Sequence, residues 1–159
     1  MKKTCDTIIL GAGIYGMLIA KKLSKIYPEM KIIIIESKPE LFNNNSSWNS
    51  GVLHSGVYYK PNSLKSIYCL KGNKDLKDYI DEHKLFLMKC GKLIVPSNEK
   101  ESLKIKQLYQ NGKNNGVELE IIDPASARKI DSFVNTDYNS LYLPSTSIGN
   151  PSRCRVYYF

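Results

Sequence analysis

Residues 11 to 16 read Gly11-Ala12-Gly13-Ile14-Tyr15-Gly16, and what stands on either side of this hexapeptide decides the fold. Ahead of it, Thr4 to Leu10 (TCDTIIL) is rich in β-branched and aliphatic residues and predicts a short buried strand. Behind it, Ile14 to Ile26 places Met17, Ala20, Leu23 and Ile26 at three- and four-residue steps with lysines on the other side. That is the spacing of an amphipathic helix, ended by Tyr27-Pro28. Lys31 to Glu36 (KIIIIE) is apolar without alternation, as strands covered on both faces of a parallel sheet are. Strand, helix and strand in this order make one βαβ unit.

Set between a strand and a helix, each glycine of a G-x-G-x-x-G pattern has its own task. Gly11 permits the tight turn, Gly13 lets a pyrophosphate approach the backbone, and Gly16 lets the helix lie close to the sheet. The N–H groups of Ile14, Tyr15 and Gly16 then open the helix and offer an anion the positive end of its dipole. Glu36, followed by Ser37, closes the second strand, where a carboxylate receives ribose hydroxyls and disfavours a 2′-phosphate. NAD or FAD is therefore expected. The competing reading, a glycine-rich turn in an unrelated α/β protein, has to explain strand, helix and acid all standing in their places.

Ser37 to Ser50 is polar, holds Asn43-Asn44-Asn45-Ser46-Ser47, and lacks periodicity, so it is a loop. Loops of this length within a compact domain usually carry function. Ser46 to Tyr59 (SSWNSGVLHSGVYY) interleaves hydroxyl residues and glycines with larger groups. Small residues there let main chain lie along an extended ligand while hydroxyls and amides meet its polar edge, which suits a flavin.

Farther along, Ser63 caps a helix whose apolar positions Leu64, Ile67, Tyr68, Leu76, Tyr79 and Ile80 run to about Glu82 and should pack on a sheet. Lys89 to Pro96 predicts a strand, and Asn98 with Glu101 starts a helix to about Asn111 that Gly112 and Gly116 terminate. Glu118 to Ile122 is a strand, Pro124 to Lys129 a short helix, and Ser140 to Leu143 a last strand. The second half is thus α+β. The expected organisation is a Rossmann-type first segment over 1–85, part of a substrate domain over 86–143, and a return segment over 144–159.

Composition narrows the function. With 159 residues the chain can bury one core, and 42% apolar with 24% charged residues is ordinary for a globular protein. A net charge of +8 would suit nucleic acid, yet the basic residues are scattered lysines with only Arg128, Arg153 and Arg155 among them. No nucleic-acid partner is expected. Cys5, Cys69, Cys90 and Cys154 form no short C-x-x-C pair, so no metal is expected, and a reducing cytoplasm is the default compartment. The longest apolar run, Ile8 to Ile14, is too short for a bilayer span, which leaves room only for peripheral contact with the inner membrane.

The run NSGVLHSGVYYKPNSLK (Asn49 to Lys65), then Cys69, CGKLIVP (Cys90 to Pro96) and PSTSIG (Pro144 to Gly149) resembles the L-2-hydroxyglutarate oxidase or dehydrogenase family, within the D-amino-acid-oxidase-like group of FAD enzymes. The resemblance covers nearly the whole chain. It implies FAD as cofactor, oxidation of a 2-hydroxy dicarboxylate to the 2-oxo acid, and oxygen or a quinone-type carrier as electron acceptor. It further implies that Ser47, Asn49, Ser50 and Gly51 run beside the flavin and that His54, Ser55 and Gly56 lie near its ring system. His54 is the candidate base, since an ordinary imidazole titrates near neutrality; Tyr59 and Lys60 are candidates for holding the substrate. His83 reads as a surface residue.

Trp48 departs from the family pattern, and so does the end from Asn150 to Phe159. Family members also run longer. An amino-terminal fragment is therefore expected, marginal and aggregation-prone alone, without appreciable FAD affinity, and in need of a complementary second half. A non-catalytic remnant or a split subunit of a glycerol-3-phosphate or amino-acid type flavoprotein is the alternative.

Overall fold

A computed structural model describes residues 4–39 and 45–150 and divides them into two compact units, the first up to Gly51 together with Asn150, the second from Val52 to Gly149. Part of the expected loop, Asn43 and Asn44 included, and the end from Pro151 lie outside the described residues.

The first unit is the expected βαβ element. β1 (Thr7–Leu10) pairs in parallel with β2 (Ile32–Ile35), Ile8 opposite Ile33 and Leu10 opposite Ile35, and α1 (Ile14–Ile26) connects them. β1 is shorter than the predicted Thr4 to Leu10 because Asp6 is drawn out of the ladder. The amides of Asp6 and Thr7 both donate to the Lys31 carbonyl, and Asp6 accepts from the Lys31 amide at 2.8 Å. Met17 and Ala12 are buried against Ile34 on the face that α1 covers. On the opposite face Ile8, Leu10 and Ile35 are 54, 81 and 48% exposed, so that none of the described residues covers them fully.

The second unit holds two three-stranded antiparallel sheets. β3 (Val52–Leu53), β8 (Ser147–Gly149) and β4 (Leu87–Met88) form one, with β8 central; β5 (Lys92–Ile94), β7 (Ser140–Leu143) and β6 (Glu120–Ile122) form the other, with β7 central. The strand predicted over Lys89 to Pro96 is β5, and the short β4 ahead of it was not predicted. Gly91, at φ +70°, turns the chain from the first sheet into the second, the Tyr142 ring fills the space where a side chain would start, and Gly91 N–H donates to the Thr146 carbonyl at 3.0 Å. Pro144 to Thr146 makes the matching corner between β7 and β8.

Helices cover these sheets. α2 (Leu64–Glu82) begins at Ser63, whose hydroxyl accepts from the Ser66 amide, and buries Ile80 beside Gly149. Its Lys77 ammonium donates to the Ser145 carbonyl at 2.8 Å, and burial, then the charge of Lys89, lowers its pKa. Through these contacts α2 lies in the second unit. α3 (Glu99–Asn114) starts at Asn98 as predicted but passes through Gly112, which is buried where Leu119 leaves no room for a Cβ; Gly116, at φ +72°, ends it. α4 (Pro124–Ile130) is capped by Asp123. Val57, Ile105, Val117, Leu119, Leu141 and Leu143 make the core of this unit.

Candidate functional site

The site in the first unit begins where β1 runs out. Gly11 takes φ +98°, a conformation unfavourable to any side chain, and its amide closes the ladder on the Ile35 carbonyl at 2.7 Å. Gly13 caps α1 with extended backbone and no side chain of its own, and the first turn carries no acidic residue to compete with an anion. A Cβ on Gly16 would fall on the Gly11 carbonyl oxygen and within 3.3 Å of Ile9 Cγ2, so only glycine lets the helix start this close to the strand. The amides of Tyr15 and Gly16, in the first turn, have no acceptor within the helix. The Tyr15 ring is exposed beside them.

Glu36 turns toward these glycines. One carboxylate oxygen accepts from the Ala12 amide at 2.8 Å, and the other accepts from the Lys38 amide and the Ser37 hydroxyl, each at 3.1 Å. The Ala12 bond first and the Lys38 bond second hold its carboxyl below the usual range, so it is ionised near neutrality. A carboxylate fixed on the glycine turn is where a nucleotide ribose is received in Rossmann-type units.

The loop after β2 closes on the same turn. The Ser46 hydroxyl accepts from the Ile14 amide at 3.0 Å, a contact absent from the sequence reading, which had singled out Ser47. Only its position beside Ser47 in the Asn-Ser run could have drawn notice to it. Ser47 carries a hydroxyl shielded from solvent and without a partner among the described residues. Asn49 folds back, donating to the Asn45 and Ser46 carbonyls at 3.3 and 3.1 Å and accepting from the Gly51 amide at 2.9 Å. Gly51 takes φ +69°, Ser50 is exposed, and the Trp48 ring stands in solvent.

A dinucleotide fits this set of residues. Nothing lies within 4 Å of a Cβ placed on Gly11, the Tyr15 and Gly16 amides of the first turn have no acceptor within the helix while that of Ile14 is held by the Ser46 hydroxyl, and an ionised acid stands at the strand end. Among the described residues no cluster of His, Cys, Asp or Glu could hold a metal ion, and no helix is long and apolar enough to cross a membrane.

His54, Ser55, Tyr59 and Lys60 belong to the second unit. β3 holds Leu53 opposite Ser147 of β8, and His54 is the first residue beyond that ladder, its side chain exposed. Gly56, at φ +84°, then turns the chain so that Val57 enters the core. Tyr59 is half-buried and Lys60 exposed. The cation nearest an aromatic here is Lys92, unnoticed in the sequence: its ammonium donates to the Tyr58 hydroxyl at 3.0 Å and lies 4.7 Å from that ring's centre. The pairing of β3 with β8 was also missed, because two-residue strands carry no periodicity.

Known proteins share this architecture. The profile of the family described as FAD dependent oxidoreductase matches residues 6–158. The mitochondrial L-2-hydroxyglutarate dehydrogenases of Dictyostelium discoideum and Nematostella vectensis are 38 and 39% identical over 149 and 144 residues, 92 and 90% of this chain but 33 and 31% of their own. The chain thus spans about a third of the length of the curated relatives it matches. Among solved structures, the dithionite-reduced L-alpha-glycerophosphate oxidase of Mycoplasma pneumoniae with FAD bound superimposes with a TM-score of 0.83 at 27% identity, over 97% of this chain and 42% of that one. With its glycine cradle, its anchored acid and a match along nearly its whole length, the chain belongs to the family of FAD dependent oxidoreductases.

Proposed function

We propose that the protein at its natural length oxidises L-2-hydroxyglutarate to 2-oxoglutarate, with this chain supplying the nucleotide grip and the loop that carries the base. One observation carries the reading: identity of 38 and 39% to L-2-hydroxyglutarate dehydrogenases over nine-tenths of the chain. FAD, when bound, supplies the acceptor for the hydride that leaves C2 of the substrate. Gly11, Gly13 and the amides of Tyr15 and Gly16, joined by that of Ile14 once it leaves the Ser46 hydroxyl, hold its pyrophosphate, Glu36 and Ser37 the ribose, and Ser47, Asn49, Ser50 and Gly51 line the path onward. His54, with Ser55 beside it, takes the proton of the 2-hydroxyl as the C–H bond breaks, so that charge does not accumulate on the alcohol oxygen. Tyr59 and Lys60 hold the dicarboxylate.

On this reading residues 1–85 serve the cofactor and 86–143 belong to the substrate domain. Oxygen or a quinone-type carrier takes the electrons, in the cytoplasm or at the inner membrane surface, and a complementary stretch of polypeptide completes the enzyme. The likeness to the glycerophosphate oxidase supports a second reading, with glycerol 3-phosphate as substrate. Anaerobic mixing of the FAD-loaded, natural-length protein with a panel of 2-hydroxy acids, amino acids and glycerol 3-phosphate separates the two. Bleaching of the flavin by L-2-hydroxyglutarate, slowed about a hundredfold by His54→Ala, is the expected result. Bleaching by glycerol 3-phosphate alone refutes it.

A further inference from the structure

The loop that carries His54 leaves the β3 ladder after Leu53, and four of its carbonyls are taken by two side-chain amides from two different helices. Asn73, in the middle of α2, donates from Nδ2 to the carbonyls of Leu53 and His54 at 3.1 and 3.0 Å. Asn115, the C-cap of α3, donates from Nδ2 to the carbonyls of Gly56 and Tyr59 at 3.2 and 3.0 Å. A primary amide has two N–H groups, so each asparagine spends its whole donor capacity on this loop. We propose that Asn73 and Asn115 are positioning residues for the reaction, a two-point clamp that sets the peptide planes on either side of His54 and thereby the direction of its imidazole. The proposal rests on the reading of His54 as the base.

Three features favour positioning over general packing. Asparagine is a poor helix former, and at position 73 an alanine would serve α2 better, so the amide is kept at some cost to the helix. A second donor converges on the same atom: the Cys69 thiol donates to the His54 carbonyl at 3.4 Å, and burial raises its pKa, which keeps it protonated and donating. Between the two clamp points Gly56 holds φ +84°. With carbonyls held at Leu53, His54, Gly56 and Tyr59, little torsional freedom is left to the segment, while the imidazole itself stays exposed and available. A shift of about an ångström in a reacting group can cost on the order of a hundredfold in rate.

The test has two arms on the natural-length protein. In the first, amide hydrogen exchange is followed in Asn73→Ala and Asn115→Ala. Exchange over residues 52–60 should rise by about tenfold or more in each, while the α3 peptides keep their protection. If Asn73→Ala does not fold, Asn73→Ser and Cys69→Ala take its place with the same expectation. Unchanged exchange at 52–60, or an equal rise throughout residues 52–149, overturns the clamp. In the second arm, Asn73→Ala should lower kcat about ten- to a hundredfold with KM within about threefold and flavin absorption unchanged, and Asn73→Gln should recover part of the loss. In a His54→Ala background the further loss should vanish, since the amide acts through His54. A loss that adds in full there overturns the positioning role. Failure of the His54 assignment looks different: His54→Ala would keep its kcat, with the exchange arm unaltered.

Discussion

Gly16→Ala sets two simple expectations against each other. Helix propensity favours alanine over glycine by about 1 kcal/mol, so on that ground alone the substitution in α1 would stabilise the protein. The structure reverses the sign. The new Cβ would sit on the Gly11 carbonyl oxygen, with the Gly11 carbonyl carbon and Ile9 Cγ2 each 3.3 Å away, and two of these three atoms are backbone that cannot rotate aside. Restoring ordinary contact requires α1 to back away from the end of β1 by about 1 Å. Overpacking of this kind costs about 1–3 kcal/mol. The same movement withdraws the Tyr15 and Gly16 amides from the phosphate cradle, so the loss falls on the FAD-bound state. At 1.4 kcal/mol per tenfold, affinity should drop roughly 5- to 150-fold. Flavin fluorescence titration of the natural-length protein reads this directly, with thermal melting alongside. Gly72→Ala is the internal standard: Gly72 lies in α2 with nothing within 4 Å of an added Cβ, and it should gain about 0.5–1 kcal/mol and leave FAD binding alone. Should Gly16→Ala melt at or above the parent and bind FAD within twofold of it, the account of the third glycine is wrong.

Gly112→Ala should also destabilise, by about 1–3 kcal/mol in urea titration, because a Cβ there meets the Leu119 side chain and lies 3.2 Å from Val57 Cγ2 in the core. Ser63→Ala should cost about 1 kcal/mol, since the hydroxyl caps α2 and also donates to the Lys60 carbonyl at 2.7 Å. Acid should weaken the fold with a defined sign. Bonds from the Ser97 amide hold Glu101, and bonds from the Ser126 hydroxyl hold Asp123, below the usual carboxylate range, so the unfolded chain binds more protons. Their stabilisation is complete above that range and is lost as pH falls through the lowered values; Glu101→Gln with Asp123→Asn should flatten the acid limb of stability against pH.

Much of this was legible in the residues alone, wherever the determinant is local. The βαβ unit followed from four isoleucines, a helical spacing and three glycines, and Ser63, Asn98 and Pro124 marked helix starts that the structure keeps to within a residue. A capping side chain acts on amides two or three positions away, so its signal lies within one short window. The turn from Gly11 to Gly16 between strand and helix was readable for the same reason, since its glycines lie within one short window.

The rest was decided by partners distant in sequence. Gly112 looked like a helix stop, but Leu119 and Val57 make it a close-approach site inside α3. Leu87–Met88 carried no strand signal, but it pairs with β8 some sixty positions away, and Gly91 then turns the chain into β5, which pairs with β7 some fifty positions away. Asn73 carried no signal in the sequence, but its amide closes on the carbonyls at the end of β3. Composition and spacing carry local conformation, because propensity and capping are short-ranged. They cannot say which carbonyl an amide nineteen or twenty positions away will meet, and that pairing holds the His54 loop.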